Sequence, residues 1–410
     1  MTPRTDLRFP RGARVLHVGP HKTGTTSLQR AFHAEREAVA AQGVHYAGST
    51  SQPIDEVLAL LARENPRPPA DAPSSDRPWR RLVREVKEAE GTVLVSSEFL
   101  ADAREAAMAA AVRELGGDDP WVLVTLRPLA KILPSQWQQY VQNGMRTAYG
   151  RWLKAMLREA DTTTLSPSFW WRHRHDELVA RWAGVVGPER VVVLVLDEST
   201  PDQLLRDVET LFSLAPGTLE VPASDNRSLT LPEIELIRQF NKQFAASGLP
   251  RSVHHHAMRF GTARYLQQRA PRPNEPRLTT PYWAARAAVG LGAAMAERIA
   301  ASGVHVVGDL GALSAMPASG VRAKGEPAPK VSLRPELAAT ALMGMVHASG
   351  LPEIVGEGKV AEPEGAQPVP TVGFARAAWR RARDRVRREL TERRPEIGPD
   401  APAPDDGQVR

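Results

Sequence analysis

The chain of 410 residues contains no cysteine. Disulfides, thiolate metal sites and a cysteine nucleophile are therefore excluded. No stretch reaches the roughly 18 apolar residues that a membrane span needs. The opening MTPRTDLRFPRGARVLHVG has no apolar run ahead of its first strand-like segment, so it does not read as a secretory signal. These absences lead to the expectation of a reducing cytoplasm. Evenly spread positive charge is missing as well. The net charge is +6 and the pI about 9.8, but residues 374–394 alone hold nine arginines against Asp384, Glu389 and Glu392. That segment accounts for the whole excess, so the rest is near neutral and nothing in it suits nucleic acid.

What remains is ordinary for a folded protein, with 42% hydrophobic and 24% charged residues. The length allows two or three domains, or one substantial core. Five short Val/Leu-rich runs recur: RVLHV (14–18), TVLVS (92–96), WVLVT (121–125), RVVVLVL (190–196) and VHVVG (304–308). Runs without polar alternation suit parallel strands covered on both faces. Helical patterns lie between them, such as SLQRAFHAEREAVAAQG ending on Gly43 and ELVARWAGVVG ending on Gly187. The alternation predicts an α/β fold, a P-loop-like doubly wound parallel sheet flanked by helices. Residues 63–78 are proline-rich and read as a surface loop, while 333–350 reads as a further helix. One catalytic domain is expected over about 12–350, followed by a tail at 351–410. Tracts 351–373 and 395–410, rich in Pro, Gly and acids, read as disordered around an arginine-rich amphipathic helix at about 374–394.

The first strand runs into VLHVGPHKTGTTSLQ (15–29), where one more thing is missing. A nucleotide-binding loop reads G-x-x-x-x-G-K-[ST]. Gly19 and Gly24 keep the glycine spacing and Thr26 fills the hydroxyl position, but Thr25 stands where the lysine belongs and Lys22 lies three residues earlier. Strand, glycine-bearing turn and helix are still the context an anion site requires. Backbone N–H groups and the positive end of the helix dipole would hold a phosphate-like group. Lys22 would add a full charge, and Thr23, Thr25 and Thr26 would add hydroxyl donors.

Lys22-Thr23-Gly24-Thr25-Thr26 closely resembles the donor loop of sulfotransferases that use 3′-phosphoadenosine 5′-phosphosulfate (PAPS), in which lysine precedes the glycine. The resemblance implies that this loop holds the 5′-phosphosulfate and that Lys22 is also catalytic. The stretch VTLRPLAKILPSQWQQY is similar to the family's second signature, which implies that Arg127 and Ser135 hold the 3′-phosphate. A guanidinium fork and a hydroxyl at a strand–helix junction suit a terminal phosphate. Glu98, in TVLVSSEFLADA, follows a predicted central strand, where open α/β sheets place their ligands. Glycosaminoglycan-type members carry a glutamate base in a similar place, so the resemblance implies that Glu98 is the general base. An acid near a helix start capped by Ser96 or Ser97 would look much the same. The resemblance runs from about 14 to 240, including Trp182 and the GPER turn at 187–190, and weakens beyond.

The implied reaction moves a sulfuryl group from PAPS to a hydroxyl or amine, with no metal expected. The acceptor is a carbohydrate, a glycolipid or another small molecule, in a bacterium-like cell. Two alternatives stay open. RVVVLVLDE ends in Asp197 like a Walker B strand, which would suit a kinase using ATP and Mg²⁺. A non-catalytic nucleotide-binding adaptor would use the same loop without Glu98. HRHDE (173–177) imitates part of a metal motif but leads into a helix, and His254 to His256 reads as a solvated loop, or at most a contact to the acceptor. Asn226, Ser228 and Thr230 precede a helix, with Ser228 or Thr230 suited to capping it. Tyr140, Gln142 and Asn143 are candidate hydroxyl-binding residues. The tail helix lines up Trp379, Ala382, Val386 and Leu390, which suits an anionic membrane surface or an acidic partner as much as a solvated tether.

Overall fold

The computed structural model describes residues 6–64, 73–117, 119–160, 162–197, 199–200, 202–220 and 227–349. Asn226, the middle of the proline-rich loop, and the tail with its arginine-rich helix lie outside the described residues. Six strands form one parallel sheet: β1 (Arg14–His17), β2 (Val44–Tyr46), β3 (Thr92–Ser96), β4 (Pro120–Leu126), β5 (Val191–Val195) and β7 (His305–Val307). Two-residue strands β6 (Thr280–Pro281) and β8 (Val321–Arg322) pair separately. Across the main sheet the order is β2-β3-β1-β4-β5-β7.

Side chains of a strand alternate between faces, so an uninterrupted apolar run fills two cores at once. Val15, Leu94, Leu123 and Val192 meet Leu28, Phe32, Leu205 and Val208 of α1 (Thr25–Ala34) and α10 (Gln203–Leu211). Their neighbours Leu16, Val93, Val95, Val122 and Val124 face the opposite side. There they pack against α3 (Ile54–Arg63), α4 (Arg77–Glu88), α5 (Glu105–Leu115) and α9 (His175–Val186). Each such side chain contributes about 1.5–3 kcal/mol by leaving water, which fixes the register of the four longer strands, β1, β3, β4 and β5. Phe9 belongs to this core too, packed on Trp121 and Phe212, so the fold gathers chain from before residue 12.

A separate apolar cluster builds a helical layer from α6 (Leu129–Gln142), α7 (Tyr149–Arg158), α8 (Ser168–His173), α11 (Leu231–Ala246), α14 (Tyr282–Ala300) and α15 (Pro335–Ala348). Short helices α12 (Arg251–Ala257) and α13 (Ala263–Gln268) join it. Among the described residues no helix is long and apolar enough to cross a membrane.

Three sequence expectations change in detail. The helix read over 27–43 is two helices, α1 and α2 (Arg36–Ala40), meeting at Glu35. β2 has only three residues and gave no readable run. His254 is on helix α12, not in a solvated loop: its Nε2 meets Asn241 Oδ1 at 2.7 Å, and its ring stacks on Phe240. Burying an imidazole against a carboxamide and two phenyl rings is what pins this helix to α11.

Central β1 is flanked by β3 and β4, and the chain visits one side of the sheet before the other. A crevice opens where such an order reverses, beyond the carboxyl ends of the strands. The segments after β1, β3 and β4 carry Lys22, Glu98 and Arg127.

Candidate functional site

The turn after β1 depends on two left-handed glycines, Gly19 at φ 78° and Gly24 at φ 84°. Each also has a neighbour where a Cβ would be. At Gly19 it would lie 2.9 Å from Glu98 Cβ, and at Gly24 it would lie 2.8 Å from Leu204 Cδ2. The first glycine therefore lets the loop rest directly on the candidate base. Lys22 itself has φ 68°, a conformation that costs a non-glycine residue on the order of 1 kcal/mol or more. Strain of this kind is retained where the surroundings need one geometry.

Helix α1 then starts with no side-chain cap and no acid in its first turn. Among the described residues, the backbone amides of Lys22, Thr23, Gly24, Thr25 and Thr26 have no protein acceptor. Five successive free N–H groups at the positive end of a helix suit an anion with several oxygens. Tetrahedral phosphate and sulfate groups meet that description.

The loop is braced from below by a buried polar chain. His17 Nδ1 meets Ser96 Oγ at 2.7 Å and its Nε2 meets Thr125 Oγ1 at 3.1 Å. Thr125 Oγ1 in turn lies 2.8 Å from Thr23 Oγ1, which also donates to the Pro20 carbonyl at 2.6 Å. Burial drops the His17 pKa to about 3, so the ring is neutral and cannot compete for an anion. Thr23 thus spends its hydroxyl on the scaffold and has only its amide to offer, whereas Thr26 is exposed. The expected third hydroxyl donor is turned inward.

Glu98 opens a short 3₁₀ turn (Glu98–Asp102), and Ser97 ahead of it makes no side-chain cap. Its carboxylate is aimed by two carboxamides instead. Gln29 Nε2 from α1 and Gln52 Nε2 both donate to Oε2, at 3.0 and 2.7 Å. Oε1 is left towards His21, whose Nδ1 is 3.9 Å away. Lys22 Nζ donates to Gln139 Oε1 on α6 at 3.0 Å. Burial pushes the Lys22 pKa down, the Glu98 charge opposes that, and Arg127 adds to the lowering. Arg127 reaches back from the end of β4 to the Lys22 carbonyl at 3.4 Å, so the two halves of the expected donor site touch. Ser135 lies farther along α6, its hydroxyl turned to the Lys131 carbonyl at 3.4 Å.

Comparison with known proteins adds little to this geometry. No protein-family model matches the chain, and no curated protein matches it significantly. Among solved structures it is similar to a sulfotransferase from Alicyclobacillus acidocaldarius. The two share 19% identity with a TM-score of 0.38, over 60% of this chain and 95% of that one.

Several residues at the site carried no sequence signal. Gln29, Gln52 and Gln139 are ordinary glutamines until the fold brings them to Glu98 and Lys22. Arg172 of α8 donates from two nitrogens to Asp102, tying the helical layer to the turn that holds Glu98. His173 and His175 of the HRHDE stretch are buried, and Asp176 pairs with Arg298 rather than with either. Asp197 accepts from the Ser199 amide and hydroxyl and from Thr200, which makes it the cap of its own turn. Thr230 is the N-cap residue of α11, as the sequence suggested, and Glu233 reaches back to its amide at 2.7 Å. Of the residues expected to bind hydroxyls, Asn143 is exposed and accepts from Gln139, while the Tyr140 hydroxyl is buried without a hydrogen-bond partner.

Proposed function

We propose that the chain is a PAPS-dependent sulfotransferase acting on a hydroxyl or amine of a small acceptor. The observation that carries this reading is the set of five free amides at residues 22–26, with Lys22 and Arg127 above them and Glu98 across Gly19. The loop, Lys22, Thr25 and Thr26 bind the phosphosulfate, and Arg127 with Ser135 takes the 3′-phosphate. The acceptor oxygen attacks sulfur, and the bond from sulfur to the 5′-phosphate oxygen breaks. The electron pair leaves on that phosphate, where Lys22 balances the charge. Glu98 Oε1 removes the acceptor proton, a role worth roughly 10²–10⁴-fold in rate. Gln29 and Gln52 hold Oε2, so that Oε1 is the oxygen presented.

Calorimetry with 3′-phosphoadenosine 5′-phosphate, against ATP plus Mg²⁺, tests the reading. Tight metal-independent binding of the bisphosphate is expected, weakened at least tenfold in Arg127→Ala and in Lys22→Ala. Binding of ATP alone, and only with Mg²⁺, would overturn it.

A further inference from the structure

Beside Lys22 and Glu98 lies a cluster of polar atoms that the protein itself does not satisfy. His21 Nε2, Gln136 Oε1, Tyr140 Oη and both ring nitrogens of His173 are buried and have no hydrogen-bond partner. Buried polar groups are almost always paired, and each orphan costs about 1–3 kcal/mol. Five such atoms share this one neighbourhood.

They come from three elements that converge only in the folded chain: the donor loop, α6 and α8. Gln136 and Tyr140 are one turn apart on the same face of α6. Charge on Arg172 acts on His21, His173 and Tyr140, and Lys22 acts on both histidines, so the group is close-knit. The Tyr140 hydroxyl lies close to Gln136, Ser168 and Arg172, but none of the three meets it at full hydrogen-bond geometry. The rings are held in place by Trp152 against Tyr140, Phe99 against His21, and Phe169 against His173.

We infer that His21, Gln136, Tyr140 and His173 form the wall that receives the acceptor, and that the acceptor is a neutral, polyhydroxylated molecule of carbohydrate type. This rests on the sulfuryl-transfer reading for its place beside the donor, but the chemistry of the wall is its own. A neutral imidazole offers one donor and one acceptor, a phenol offers both, and a carboxamide oxygen accepts. Burial, with Arg172 and Lys22 nearby, holds both imidazoles in that neutral form. The Arg172 charge is already taken up by Asp102. The wall therefore presents mixed donors and acceptors with no charge to spare, which matches hydroxyl groups. A carboxylated acceptor would find no unpaired cation there beyond the donor-holding Lys22. An ammonium would face Lys22 and Arg172 with no free anion except the base.

The test is a titration of protein with carbon-13-labelled histidine, with and without bound 3′-phosphoadenosine 5′-phosphate. The probes are neutral methyl glycosides of glucose, galactose and mannose, methyl glucuronide, and the methyl glycoside of glucosamine. Saturable shifts of the His21 and His173 imidazole signals with at least one neutral glycoside, at lower concentration than with either charged sugar, are expected. Tyr140→Phe, which keeps the ring and removes only the hydroxyl, should raise the apparent Kd about tenfold and leave bisphosphate affinity unchanged. His173→Gln should do the same. A response to the charged sugars alone, or to none, would overturn the inference, the latter leaving a cluster filled by internal water only. Failure of the bisphosphate to bind is a separate outcome: it would sink the donor reading, while the sample without it still reports on the wall.

Discussion

At the scale of single residues, the candidate base is positioned by amides that belong to distant parts of the chain. Gln29 is 69 residues from Glu98 in sequence and Gln52 is 46 away, yet both donate to one carboxylate oxygen. A hydrogen bond to a charged group is worth about 1.5–3 kcal/mol. If that bond serves to aim Oε1, its loss should appear in turnover as a fall of roughly 10–100-fold. Gln52→Leu is therefore expected to slow PAPS hydrolysis by about that factor, with water as acceptor, and to leave the bisphosphate Kd unchanged. An unaltered rate, alongside loss of activity in Glu98→Gln, would assign Gln52 a purely structural role. The residues that touch charge directly, Lys22, Glu98 and Arg127, were legible because each follows a strand and lies beside a motif. Their supports were not. A glutamine that orients a carboxylate looks like any other until the two are folded together, and the same holds for His17 between Ser96 and Thr125.

Secondary elements show the same division. Strands buried on both faces announce themselves by unbroken Val/Leu runs, and the four of four residues or more were readable, as was three-residue β7 through its VHVVG run. β2, equally short, is VHY between Gly43 and Ala47 and has no such run. The helical layer is less legible because its contacts are set by distant partners. Gly261 and Gly344 show this: a Cβ on Gly344 would lie 2.8 Å from the backbone of Gly261 and Thr262, so α15 and the turn at Met258–Thr262 are in backbone contact. Gly290, exposed on α14, has open space at the same position. One substitution should thus act with opposite signs. Gly344→Ala is expected to cost about 1–3 kcal/mol by overpacking, whereas Gly290→Ala should stabilise by about 0.5–1 kcal/mol through helix propensity. Urea unfolding of both variants decides it, and equal shifts in the same direction would contradict the packing described.

Across the whole molecule, the buried histidines set a limit on acid tolerance. Burial lowers the His17 pKa to about 3 and that of His175 to about 4, and pushes His21 and His173 well below 6.5. Each ring is neutral when folded but free to protonate once unfolded. Between the folded pKa and about 6.5 the unfolded chain therefore binds more protons, so stability rises with pH. It is complete above about pH 6.5 and falls as pH drops, by about 1.4 kcal/mol per unit for each ring. Paired acids join in only lower down. Burial works against ionisation of Glu233, but Arg227, the Thr230 amide and Arg269 together hold its carboxyl below the usual range. Its contribution is present above its ordinary value of 4.5 and lost beneath. Thermal melts from pH 8 to 5 should be flat to about 6.5 and then decline steeply, with His17→Asn shallower by about one proton. A midpoint unchanged between pH 6.5 and 5 would show these rings to be accessible in the folded chain.

The separateness of the helical layer has a bearing on how such a molecule can change over generations. The donor loop and Glu98 hang from the sheet and its two cores, while Gln136, Tyr140 and His173 stand on helices with an apolar cluster of their own. On the proposed reading, drift within that second cluster would reshape what is accepted, but only as far as Gln139, which stands on the same α6 and meets Lys22, and Arg172, which holds the Glu98 turn through Asp102, allow.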